Sequence, residues 1–83
     1  PEIPILAISP IWRGDRPEEY DVFLHFCKEV KRIAGSYPNV CVLDGLTLVP
    51  HLSEYYRDNL HPNCLGAEVY GRNLVEAIRK MGF

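Results

Sequence analysis

The sequence predicts an α/β fold with parallel strands, in the order strand, helix, strand, loop, helix. Two short runs, residues 3–8 and 40–43, are apolar at nearly every position, which is typical of parallel strands covered on both faces. The segment between them and the last segment repeat apolar residues at three- and four-residue spacing, which predicts two amphipathic helices. With 83 residues, the chain has room for one small core, so we expect a single domain.

The first predicted strand covers residues 3–8, with the sequence IPILAI. Proline has no backbone N–H to donate, so Pro4 should lie near the start of the strand and not in its middle. The run ends at Ser9, and residues 9–15 form a loop that we call the β1 loop.

The first helix should begin at Asp15 or Arg16, because Pro17 suits the first helical turn. Gly35 should end it. Its apolar face is Tyr20, Phe23, Leu24, Cys27, Val30, Ile33 and Ala34.

The second strand, residues 40–43, is followed by a helical turn at residues 46–49 and by a polar, aromatic-bearing loop at residues 50–62. The last helix should begin after Asn63, a favourable N-cap, and end at Gly82.

The composition excludes several classes of protein. Nine Lys and Arg residues are scattered among eleven acidic ones, so no basic surface for nucleic acid is predicted. No apolar run approaches the roughly 18–20 residues that a membrane span needs. The three cysteines lack C-x-x-C spacing. Cys27 and Cys41 are predicted to be small buried side chains, which indicates either a reducing compartment such as the cytoplasm or simply core packing.

The chemistry is concentrated in the segment from Asp58 to Asn63, DNLHPN. A carboxylate three residues before a histidine can turn back and accept the imidazole Nδ1–H, at roughly 2.7–3.2 Å. That bond would leave Nε2 of His61 available as a general base. The C-terminal ends of parallel strands are also where open α/β sheets place their sites.

These residues resemble the final block of the SGNH (GDSL-type) hydrolases, D-x-x-H-P followed by a helix. The strand that ends in Ser9-Pro10, the turn Tyr37-Pro38-Asn39-Val40 and the strand end Val42-Leu43-Asp44-Gly45 agree with it. The resemblance covers nearly all 83 residues and implies the C-terminal portion of one hydrolase domain.

The resemblance implies a flavodoxin-like three-layer α/β/α sandwich and ester hydrolysis by a serine nucleophile through an acyl-enzyme. Asp58 would be the triad acid and His61 the triad base, with no cofactor and no metal. The family's G-D-S block and G-x-N-D block are absent from the sequence. We therefore expect the isolated chain to be inactive, its partners being an ester substrate and the missing N-terminal part of the domain.

Other interpretations stay open for several residues. Trp12, Arg13 and Tyr55 could line the substrate pocket or simply pack against the sheet and the loop. His61 could be an ordinary solvated histidine, and Asp58 a turn residue. No standard zinc spacing is formed by His51, Asp58, His61 and Cys64. Cys64 could also be a thiol nucleophile. Ser9 could be a serine nucleophile by its position, but it lacks the glycines of a nucleophile elbow.

The alternative function is a non-catalytic interaction module with a hydrolase-like half-fold. Two strands that are apolar on both faces would leave an open sheet edge, which is a template for association. We therefore also expect either self-association through that edge or a partner segment that covers it.

Overall fold

The computed structural model describes residues 3–83. It contains β1 (Ile5–Ile8), α1 (Tyr20–Ala34), β2 (Val40–Leu43) and α2 (Cys64–Met81), with short 3-10 turns between them. This is a small α/β domain with a two-stranded parallel sheet and two helices, and the predicted order of elements is confirmed.

The two strands pair in parallel, from Ile5 opposite Val40 to Ile8 opposite Leu43. β1 is shorter than the predicted residues 3–8, because Pro4 has no N–H for the ladder. Within residues 3–83, each strand has one neighbour and one open edge.

The C-terminal ends of the strands are joined by side-chain and backbone contacts. The Ser9 hydroxyl accepts a hydrogen bond from the Gly45 N–H at 2.9 Å, and Ser9 is only 2% exposed. A Cβ at Gly45 would overlap the carbonyl oxygen of Ser9, so only glycine allows this approach. Ser9 thus connects the two strand ends.

The start of α1 differs from the prediction in its capping. A 3-10 turn, Pro17–Glu19, precedes the helix, and the side chain of Arg16 at its N-cap makes no capping bond. Asp15 does not cap it either, because its carboxylate binds Arg13. The helix ends at Gly35, as predicted.

Part of the predicted apolar surface is exposed. On α1, Cys27 is buried, as predicted, but Leu24 and Ile33 are exposed. Phe26 on the same helix is also exposed. The prediction that Cys41 is buried is wrong, because the described residues leave the face of β2 that carries it uncovered. The two helices do not cover both faces of the sheet.

Two of the most buried side chains directly follow the 3-10 turn Gly45–Thr47, which lies near the helical turn predicted at residues 46–49. Leu48 and Val49 are each 1% exposed and form the core cluster together with Tyr56. Ile8, Ile11, Trp12, Leu43, Tyr55, Tyr70 and Leu74 pack around this cluster. The core therefore lies under the loop that carries the Asp58–His61 motif.

α2 has the caps that the sequence predicts. The side chain of Asn63 accepts the Gly66 N–H, and Gly82 takes a left-handed conformation with φ of 69° at the C-cap. No helix within residues 3–83 has the length and apolar character that a membrane crossing requires.

The Tyr56 hydroxyl gives a test of the core packing. It is buried without a hydrogen-bond partner among residues 3–83, and burial raises the pKa of this phenol. Because an unsatisfied buried hydroxyl is destabilising, Tyr56→Phe should raise the free energy of unfolding by about 1 kcal/mol. Urea titration measures this, with Tyr55→Phe on the neighbouring half-buried ring as the control. A less stable Tyr56→Phe variant would show that the hydroxyl has a partner.

Candidate functional site

Asp58 and His61 form a hydrogen-bonded pair in the loop before α2. The Asp58 Oδ2 atom lies 2.8 Å from Nδ1 of His61, within the range that the sequence predicts. The other carboxylate oxygen accepts the backbone N–H of Leu60 at 3.0 Å and that of His61 at 2.7 Å. One carboxylate therefore fixes both the backbone and the ring of the histidine.

Residues 57–62, which we call the Asp–His loop, are closed at their base. The Arg57 N–H donates to the His61 carbonyl at 2.9 Å, and Tyr56 forms an isolated antiparallel bridge with Pro62. Asn59 at the tip has φ of 62°, a left-handed conformation that asparagine tolerates better than most residues. The local sequence thus favours the turn that brings Asp58 back to His61.

The hydrogen bonds of the loop hold the pKa of Asp58 well below its usual range. The largest cause is the His61 backbone N–H, followed by the His61 ring and the Leu60 N–H. An ionised carboxylate can only accept hydrogen bonds, so Nδ1 of His61 must be the donor. In the neutral ring, Nε2 is then a proton acceptor.

The His61 side chain is 60% exposed, and its Nε2 makes no hydrogen bond to any of residues 3–83. The Asp58 side chain is also exposed, at 51%. The pair is therefore accessible to a third group placed above the Asp–His loop, and its geometry suits proton transfer at Nε2.

The β1 loop contacts the tip of the Asp–His loop directly. The Gly14 N–H donates to the Asn59 carbonyl at 2.7 Å. A Cβ at Gly14 would overlap the ring of Trp12, which lies edge-on to Tyr56 and stacks on His51 at centroid distances of 5.1 and 5.7 Å. These contacts join the C-terminal end of β1 to the pair.

The structure separates the three residues suggested for substrate binding. Trp12 and Arg13 line an open pocket of about 350 Å³ next to the Asp–His loop, with Pro10, Ile11, Phe23, Phe26 and Leu60. Arg13 forms a two-pronged ion pair with Asp15, at 2.7 and 2.6 Å, so its charge is already engaged. Tyr55 does not line this pocket, since its ring packs on the core cluster.

The other candidate residues from the sequence include Ser9, His51 and Cys64. The hydroxyl of Ser9 is buried in its bond to Gly45, which is a structural role. The Nε2–H of His51 donates to the Leu46 carbonyl at 2.8 Å, and Cys64 is exposed in the first turn of α2. Among residues 3–83, no three His, Cys, Asp or Glu side chains are grouped to hold a metal ion.

Two contacts at the site were missed by sequence reasoning: the Gly14–Asn59 hydrogen bond and the bond from the Asn63 amide to the Glu54 carbonyl at 2.8 Å. Both join residues through backbone carbonyls, which carry no sequence signal. A glycine between Trp12 and Asp15 was the available hint of a close approach.

Comparison with protein-family models, with curated proteins and with solved structures finds no match to this chain.

Proposed function

We propose that this chain carries the acid–base half of a serine esterase of the SGNH type. The observation that supports the proposal is the 2.8 Å contact between Asp58 and Nδ1 of His61, in a loop that leaves Nε2 exposed. Geometry of this kind is what a Ser-His-Asp triad requires of its base and of the group that orients the base.

In the proposed reaction, Nε2 of His61 removes the proton of a serine hydroxyl as its oxygen attacks the ester carbonyl. The same nitrogen then protonates the leaving alcohol, and the serine becomes acylated. Water repeats these steps to release the acid. The ionised carboxylate of Asp58 holds the ring and stabilises the imidazolium that forms at each transfer.

The serine and the oxyanion donors would come from outside the 83 residues. Ser9 is the nearest candidate by strand position, but its hydroxyl is buried and bonded to the Gly45 N–H. The proposed complete domain is a flavodoxin-like three-layer sandwich whose further strands pair with the open edge of β1. The exposed Ile5 on β1, at 47%, and Phe26 on α1, at 56%, fit this arrangement.

The acyl group of the substrate would occupy the pocket of Trp12, Phe23, Phe26 and Leu60. Its lining among residues 3–83 is mostly apolar, and the one cation in that lining, Arg13, is paired with Asp15. An uncharged acyl group therefore suits the pocket better than a carboxylate.

The sequence encoded immediately upstream of Pro1 tests the proposal. We expect a G-D-S block and, after it, a G-x-N-D block. If neither is encoded, the esterase proposal fails. The alternative, a non-catalytic interaction module, would then be favoured by the exposed apolar side chains of β1 and α1.

The open edge gives a second, independent expectation about the isolated chain. An unpaired strand edge with exposed apolar residues promotes association, so the 83-residue chain should sediment as an oligomer at micromolar concentration. Ile5→Lys, which places a charge on β1, should shift it towards the monomer. Val75→Lys on α2, at a position of similar exposure, is the control. A wild-type monomer that melts cooperatively would contradict this expectation.

A further inference from the structure

Asn63 connects three parts of the site through one side chain. Its Oδ1 accepts the Gly66 N–H at 2.8 Å, which caps α2. Its Nδ2 donates to the Glu54 carbonyl at 2.8 Å, and its backbone N–H donates to the Tyr55 carbonyl at 3.0 Å. The segment that enters the Asp–His loop, at Glu54 and Tyr55, is thus hydrogen-bonded to Asn63, which follows the loop.

The orientation of this amide is fixed by its partners. A backbone N–H can only donate, so Oδ1 must face Gly66, and a carbonyl can only accept, so Nδ2 must face Glu54. Serine and ionised aspartate can accept the helix bond, but neither places a second, donating group beside the acceptor. Asparagine is the short side chain that does both.

The first turn of α2 is packed against the same segment. A Cβ at Gly66 would overlap the Tyr55 carbonyl oxygen, so the helix and the entering chain are in direct contact. The helix extends for 18 residues from this point. His61 lies two residues before Asn63, and its backbone position therefore depends on how firmly the loop base is held to the helix.

We propose that Asn63 is the positioning residue of the Asp58–His61 pair. Its carbonyl end anchors the loop to α2, and its amide end holds the entering chain so that the carboxylate and the imidazole stay aligned. The catalytic consequence rests on the proposed function, but the positioning itself is a property of the 83-residue chain and is measurable there.

The test compares three variants of the chain by NMR. Asn63→Ser keeps an acceptor for the helix cap and removes the amide donor, whereas Asn63→Ala removes both. Gly82→Ala strains the left-handed C-cap and so loosens α2 from its far end, where a Cβ meets no neighbour. The readouts are the titration of the Asp58 carboxyl carbon and the Nδ1–H signal of His61.

In both Asn63 variants, we expect the carboxyl pKa of Asp58 to rise towards about 3.9, the ordinary value, and the Nδ1–H signal to weaken. Gly82→Ala should lower the melting temperature and leave both signals as in the wild type. If Asn63→Ser folds and keeps the wild-type titration of Asp58, the positioning role is refuted. If Asn63→Ala does not fold, the serine variant decides alone.

In the complete esterase, Asn63→Ser should lower kcat by roughly tenfold to a hundredfold at nearly constant KM, because alignment is lost and substrate binding is not. If His61→Ala leaves kcat unchanged, the proposed function is overturned. The NMR result for Asn63 does not depend on that outcome.

Discussion

In the proposed complete esterase, His61→Ala should lower kcat by roughly four to six orders of magnitude, with a much smaller change in KM. The substitution removes the imidazole that is proposed to take the serine proton, and it leaves the apolar pocket intact. Asp58→Asn should cost about 10⁴ in kcat, because an amide facing Nδ1 favours the wrong tautomer of the ring. Steady-state hydrolysis of p-nitrophenyl esters measures both effects.

One of the two other histidines is a control for this experiment. His25 lies exposed on α1, whereas His51 stacks on Trp12, which lines the proposed acyl pocket, so His25 is the one to replace. His25→Ala should keep the wild-type kcat. A comparable loss in His25→Ala would mean that the histidine effect is not specific to the pair.

The isolated 83-residue chain should show no ester hydrolysis above the level of its own His61→Ala variant. The hydroxyl of Ser9 is buried and bonded, and so cannot attack a substrate. Robust turnover that Ser9→Ala abolishes would refute this assignment.

Gly45→Ala should destabilise the chain by about 3 kcal/mol or more, a large share of the stability of a domain this small. The added Cβ would overlap the carbonyl oxygens of Ser9 and Pro10, which belong to backbone that cannot rotate away. Circular dichroism in urea measures the loss, and partial unfolding of the variant before any urea is added would have the same meaning.

Gly71→Ala is the matched control in the middle of α2. A Cβ there meets nothing within 4 Å, and alanine favours a helix, so the free energy of unfolding should rise by about 0.5–1 kcal/mol. Equal stability of Gly45→Ala and the wild type would show that the strand ends do not approach as closely as described.

Local signals in the sequence predicted the regular elements well. Asn63 and Gly82 cap the two ends of α2, as predicted, because a cap depends on one residue and on the helix next to it. The Asp58–His61 hydrogen bond was also predicted, since a three-residue spacing determines a turn. In each case the interacting groups are close in the sequence.

Features that depend on distant residues could not be predicted in this way. The burial of Leu48 and Val49 follows from packing between the loop, the strand ends and α2. Cys41 is exposed because the described residues do not cover its side of the sheet. The apolar run that contains Cys41 does not indicate whether another element covers that side. The Gly14–Asn59 hydrogen bond joins backbone groups 45 residues apart, and the glycine alone does not identify its partner.

The contact of Trp12 with Tyr56 and His51 gives the molecule a built-in optical signal. Trp12 is the only tryptophan in the sequence, so all indole emission comes from the β1 loop. Because the indole centroid lies 5.1 Å from that of the Tyr56 ring and 5.7 Å from that of the His51 ring, separation of the β1 loop from these two residues would expose it to water and move its emission to longer wavelength. Fraying at the far end of α2 would leave that emission unchanged. Unlabelled protein can therefore report loosening of the site separately from loss of helix.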